Sequence, residues 1–183
     1  MNLLNRIRLS KKKDVFYDLG CGYGRPCVWI APRVKLAVGY ENHIDRFKRA
    51  KLAVEKSGYK NIFIKHSDFS FASYRKATII YSIVDIGLQI MARINRQSKP
   101  GTRVILYRRP NYPIKGKKIS GNYFIMRTPF KKARDPDEFA KMILGRKTAT
   151  IEDLYKKLGT EDTRDLRREI RSSVKEWKKF VIN

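Results

Sequence analysis

The chain has 183 residues, 42% hydrophobic and 32% charged, which suits one catalytic-size domain with an appendage and excludes both a membrane-embedded and a disordered polymer. Its 42 Lys and Arg against 17 Asp and Glu leave a net charge of +25, so nucleic acid is the expected partner before any motif is read. Two cysteines, Cys21 and Cys27, cannot build a disulfide framework and lie in no Cys/His cluster of metal-ligand spacing, so a reducing cytoplasm and no bound metal are expected.

At the amino terminus Leu3, Leu4, Ile7 and Leu9 are interrupted by Arg6 and Arg8, too short and too charged a stretch for a signal or a membrane span. Residues 15–19, an apolar run stopped by glycines, read as a buried strand closed by Asp18. Pro26 then suits a first helical turn, and residues 27–31 continue as a short helix stopped near Pro32. A second strand runs over residues 34–40 and ends at Glu41. Asp45 is placed to cap a helix with Phe47, Ala50 and Val54 on one face, stopping at Gly58. A third strand over 61–65 precedes Asp68, and a fourth over 77–84 precedes Asp85. A helix through Ile86, Ile90, Met91 and Ile94 leads to a fifth strand over 102–107. Residues 116–130 read as a hairpin turning at Gly121-Asn122. Three helices follow, over 135–144, 150–158 and about 162–180.

Strands alternating with helices predict an α/β, doubly wound Rossmann-like sheet ending in an antiparallel hairpin, with ligands at the carboxyl ends of the strands. The expected division is a catalytic domain over residues 1–130 and a basic helical extension over 131–183, which packs on the sheet or grips RNA. The charge follows it. Residues 1–130 hold 27 basic and 7 acidic side chains, a net of +20, and the remainder 15 and 10, a net of +5. Four of the seven acids, Asp18, Glu41, Asp68 and Asp85, fall at predicted strand ends.

Asp18-Leu-Gly20-Cys21-Gly22-Tyr-Gly24 follows a strand and precedes a helix, the context of a nucleotide-binding glycine loop, whose backbone must turn tightly and approach its ligand closely. A dinucleotide fingerprint is G-x-G-x-x-G, whereas here the third glycine comes one residue early and position 25 is Arg. The order D-x-G-x-G-x-G resembles motif I of the class I S-adenosylmethionine-dependent methyltransferases, and the likeness extends over residues 15 to about 128. Small archaeal protein-lysine and ribosomal RNA methyltransferases share the look of this opening. The resemblance implies that Gly20, Cys21, Gly22 and Gly24 cradle S-adenosylmethionine and that Asp18 lies near its ammonium. It likewise gives Glu41 the ribose hydroxyls, Asp68 the adenine amine and Phe69 the ring, with Asn42 and Ser82 also lining the cofactor.

Two substrates compete. A domain at +20 repels a cationic lysine side chain and attracts RNA. Arg108, Arg109, Lys115, Lys117 and Lys118 bracket Asn111 and Tyr112 just after strand five, so the cleft rim is expected to be basic and aromatic, with Arg25 contributing from the glycine loop. Neither cysteine is placed to attack a pyrimidine, and no Glu occurs between 69 and 134 to complete a ribose-methylating tetrad. An exocyclic base amine remains, cytosine N4 in preference, with Asp85 and Asn111 as acceptors and Tyr112 stacking. Families acting on such amines usually carry an Asp/Asn/Ser-Pro-Pro-aromatic motif after strand four, where residues 82–87 of this chain have no proline pair. Asp85 has an equally good alternative as the cap of the following helix. A protein-lysine N-methyltransferase is the alternative function.

Overall fold

The computed structural model describes residues 7–108, 114–131, 137–138, 140–141, 147–158, 168 and 172. β1 (Val15–Leu19) is buried along nearly its whole length, so it must pair on both edges. It runs parallel to β2 (Leu36–Glu41), from Val15 opposite Leu36 to Leu19 opposite Tyr40, and parallel to β4 (Ile79–Ser82), from Phe16 opposite Ile79 to Leu19 opposite Ser82. β3 (Ile62–His66) adds outside β2 and β5 (Arg103–Leu106) outside β4, both parallel. The hairpin of β6 (Lys117–Ser120) and β7 (Tyr123–Arg127) closes the sheet antiparallel, giving the order β3-β2-β1-β4-β5-β7-β6. This is the expected mixed Rossmann-like sheet.

Side chains alternate between two cores. Phe16, Ala37, Ile79 and Ile105 point to one face with Cys27 and Ile30 of α1 (Arg25–Ile30), whereas Tyr17, Val38, Ile80 and Val104 point to the other with Met91 and Ile94 of α3 (Leu88–Gln97). α2 (Ile44–Ser57) lies beside α1, where a Cβ added to Gly24 would stand 3.2 Å from the Ala50 Cβ. In the extension, α4 (Ile151–Leu158) forms as expected. The helices anticipated over 135–144 and 162–180 fall largely outside the described residues.

Three local expectations are corrected. α2 starts at Ile44 with His43 at its N-cap, so Asp45 sits inside the first turn, where a negative charge complements the exposed N–H groups without capping them. α3 starts at Leu88 with Gly87 at the N-cap, so Asp85 is not its cap. β4 stops at Ser82, and the apolar pair Ile83 and Val84 leaves the sheet into solvent, 53% and 42% exposed.

The five parallel strands share one direction, so every loop leaving them opens on the carboxyl-terminal edge and every loop entering them lies on the amino-terminal edge. At the amino-terminal edge Asp14 is buried and fully partnered. Its Oδ1 accepts from the Thr78 hydroxyl at 2.8 Å and from Arg103 Nη2 at 2.6 Å, while Oδ2 accepts the Ser10 N–H at 2.7 Å. The network ties the starts of β1, β4 and β5. No helix among the described residues is long and apolar enough to cross a membrane.

Candidate active site

The strand order reverses between β1 and β4, and the glycine loop leaves β1 at that crevice. Gly20, Gly22 and Gly24 have φ of 75°, 56° and 74°, a region where a Cβ is strained, which is why this loop needs glycine. The N–H groups of Gly20 and Cys21 both donate to the Tyr40 carbonyl at 3.0 and 2.9 Å, drawing the loop over the end of β2. Gly39 makes room below: a Cβ there would come within 2.7 Å of the Cys21 sulfur. Cys21 is therefore a buried packing group, and burial raises its thiol well above the usual range.

Glu41 locks the loop from the other side. Its Oε2 accepts the Gly22 N–H at 2.8 Å and its Oε1 the His43 N–H at 2.9 Å. Each carboxylate oxygen keeps a further lone pair for a diol. Next to it, Asn42 is exposed and its side chain reaches Asp68, which also accepts the Ser70 N–H at 2.7 Å. Those hydrogen bonds hold the Asp68 carboxyl below the usual carboxylate range. Asp68 thereby caps a short 3₁₀ turn, Phe69–Phe71, that presents half-buried Phe69. Two residues that sequence reasoning missed brace this turn: the Tyr74 hydroxyl donates to the Phe69 carbonyl at 2.7 Å, and Arg93 donates to the Ser70 carbonyl. Both are set by tertiary packing, and no spacing in the chain signals them.

Asp18 is the outlier. It is 1% exposed, and its recorded side-chain partner is the Cys27 thiol, 3.8 Å from Oδ2. Desolvation, with a smaller contribution from the Glu41 charge, pushes its carboxyl up to about 7, and the Cys27 contact only partly opposes this. A carboxylate buried at a ligand crevice without a cation suits a ligand that brings one. The positive-φ loop and the Glu41 and Asp18 carboxylates together fit S-adenosylmethionine, which carries an ammonium, a sulfonium and a ribose.

The remaining expected residues divide. Ser82 is fully buried, and its hydroxyl lies 3.0 Å from both the Leu19 and Val84 carbonyls while accepting the Val84 N–H, so it ties the loop after β4 instead of presenting a free group. The tied loop lays Val84 over Gly20, where a Cβ would meet Val84 Cγ2 at 3.2 Å. Asp85 follows, exposed. Arg25 and Arg108 are exposed on the carboxyl-terminal side, and Lys118 is level with Leu106 through Phe124. Lys115 is not at the cleft rim, because its N–H bonds Lys131 at the opposite end of the sheet and its ammonium pairs with Glu138. Lys117 sits with it on a groove of about 690 Å³ lined also by Gly101, Met126, Thr128 and Phe130. Arg109, Asn111 and Tyr112 lie outside the described residues.

The open sheet of this order has the Rossmann-like fold of the S-adenosylmethionine-dependent methyltransferases to which the chain is similar. A protein-lysine N-methyltransferase of Saccharolobus islandicus is 32% identical over 97 residues, which cover 50% of this chain; the chain spans 60% of that relative's length. An RNA methyltransferase of Salinibacter ruber, solved with S-adenosyl-L-homocysteine, superposes with a TM-score of 0.61 at 22% identity over 73% of this chain and 92% of its own. A geranyl diphosphate C-methyltransferase of Streptomyces coelicolor, solved with the same molecule, superposes with a TM-score of 0.51 at 14% identity over 57% and 41%. No family profile matches the chain.

Proposed function

We propose that this protein is an S-adenosylmethionine-dependent methyltransferase acting on RNA, with ribosomal RNA and a base exocyclic amine, cytosine N4 in preference, as its target. The observation that carries the cofactor assignment is the buried Asp18 carboxylate beneath the glycine loop that Glu41 holds shut. The observation that favours RNA is the charge of residues 1–130, 27 basic against 7 acidic. The bound cofactor supplies an electrophilic methyl group. In this reading Asp18 neutralises an ammonium, Glu41 accepts from two ribose hydroxyls, and Asp68 with Asn42 receives the adenine edge over Phe69. Asp85 accepts an N–H of the target amine, which orients the nitrogen lone pair toward the methyl group; as the N–C bond forms and the S–C bond breaks, the surplus proton leaves to Asp85 or water. Asn111 and Tyr112 complete the acceptor pocket in this proposal, and Arg25, Arg108, Arg109 and Lys118 meet phosphates around it.

A protein-lysine substrate is the second reading. It is favoured by the Saccharolobus islandicus relative and by the exposed Ile83 and Val84 beside Asp85, an apolar lip and a carboxylate that suit a lysine stem and its amine. Mass spectrometry of nucleosides and of proteins from a strain lacking the gene separates the two. A lost methylated cytidine or adenosine supports RNA, and unchanged nucleosides with lost methyl-lysine replace it. In single-turnover assays on the substrate so identified, Asp85→Asn slows transfer about ten- to a thousand-fold with cofactor affinity unchanged; a full rate removes Asp85 from the chemistry.

A further inference from the structure

We propose that the amino-terminal edge of the sheet, the end farthest from the cofactor cleft, is a docking plate for the phosphate backbone of folded RNA. The inference rests on the RNA reading above and adds a second surface to it. The turn entering β1 carries Lys11, Lys12 and Lys13, and the turn entering β4 carries Arg75 and Lys76, all exposed. Single exposed lysines, Lys35, Lys60 and Lys99, enter β2, β3 and β5. At the outer strands Arg127 and Lys131 continue the row beside the 690 Å³ groove. Every parallel strand is therefore entered through a cation. With neighbouring strands about 4.8 Å apart, the row from β3 to β7 spans roughly 24 Å.

Few acids oppose this field among the described residues. Asp14 is consumed by Arg103, Glu138 by Lys115, and Glu55 stands beside Lys56 at the end of α2. Among the described residues, Tyr23, Phe71, Ile83 and Val84 are exposed on the carboxyl-terminal side and Leu52 on α2, whereas near this edge the large exposed apolar side chains are Tyr59 and Phe63, both at its β3 end. A membrane-binding face would carry apolar groups to insert. A spaced row of cations with little apolar surface matches a backbone of regularly spaced phosphates in water.

The geometry carries a consequence for substrate choice. β1 puts about 16 Å between plate and cleft, at roughly 3.3 Å per residue. An RNA that occupies both must pass around the sheet edge, so long folded RNA is selected over a short strand.

The test measures binding of purified ribosomal RNA to the full chain without cofactor across a salt series. Each phosphate contact contributes about 0.7 to 0.9 to the log–log slope, so the variant Lys11→Gln/Lys12→Gln/Lys13→Gln/Arg75→Gln/Lys76→Gln should flatten it by about 3.5 to 4.5. Lys35→Gln/Lys60→Gln/Lys99→Gln, on other turns, should flatten it by about 2 and guards against a folding defect in the first variant. Melting temperature and S-adenosylmethionine affinity should be unchanged in both. A steep native slope that neither variant alters overturns the plate and leaves the RNA reading standing. A native protein that does not bind RNA overturns both. Stronger binding to phosphatidylserine vesicles than to RNA, lost in the same variants, also overturns the proposal and assigns the plate to a membrane.

Discussion

Asp14 and Asp18 sit at opposite ends of one five-residue strand, both buried, and they do opposite things. Asp14 is surrounded by donors, Arg103, Thr78 and Ser10, so its charge is compensated within the protein. Asp18 has a thiol and a neighbouring carboxylate, so no cation among the described residues compensates its charge, which the proposed cofactor would do. Burial alone therefore does not tell a compensated acid from an uncompensated one. The donor set does.

Breaking the satisfied end should have the largest effect on folding. Asp14→Ala strands Arg103 in a nearly buried site and should lower stability by about 3 kcal/mol, read from urea denaturation. Cofactor affinity per folded molecule should be kept, and a loss of affinity larger than the loss of stability would blur the contrast. At the other end, Glu41→Ala should weaken S-adenosylmethionine binding by about 1.5 to 3 kcal/mol in calorimetry, since it removes charge-assisted acceptors and releases the Gly22 N–H. Unchanged affinity would detach the glycine loop from cofactor binding.

The pH response sharpens the comparison further. The Asp18 carboxyl is raised to about 7, so the folded protein retains a proton that the unfolded chain has released. Its stabilising contribution is complete below about pH 4 and is lost as pH rises toward 7. Cofactor affinity runs the other way: the ammonium needs the carboxylate, so affinity is full above pH 7 and falls by up to about tenfold per pH unit below it. Asp18→Asn should flatten both profiles, and a native affinity profile that is level from pH 5.5 to 8 contradicts the assignment. The smallest effect belongs to the brace of the 3₁₀ turn at Phe69. Tyr74→Phe removes the hydroxyl donated to Phe69 and should cost about 1 kcal/mol in stability, with a mild loss of cofactor affinity if the turn loosens.

The part of the crevice built from consecutive residues is legible in the sequence as fold. Strand, glycine loop and helix over residues 15–30 are specified locally, and Glu41 and Asp68 follow because each closes a short apolar strand. Misreadings arose where the chain reverses. Lys115 and Lys117 follow β5 in sequence and so look adjacent to its carboxyl end, but β6 runs in the same direction as β5, and the chain must travel back to the amino-terminal edge before entering it. Ser82 differs for another reason, since a serine at a strand end looks available in the sequence, whereas the loop after it folds back onto its hydroxyl. Tyr74 and Arg93 had no signal at all, because their partners are carbonyls, which every residue has.

Val84 lies against the glycine loop and so joins two parts of the crevice. One flank of the segment from Ile83 to Asp85 roofs Gly20 and the other meets solvent at the mouth of the cleft. In the proposed reading, a ligand that shifts Gly20 would press on Val84 and so reach the exposed segment beside Asp85. If the chain acts as the proposed methyltransferase, we expect cofactor to enter first and demethylated cofactor to leave last, a compulsory sequence visible as noncompetitive inhibition by the methylated product against both substrates, with S-adenosyl-L-homocysteine competitive against S-adenosylmethionine. Trimming the roof with Val84→Ala would uncouple the two doors and turn that sequence random.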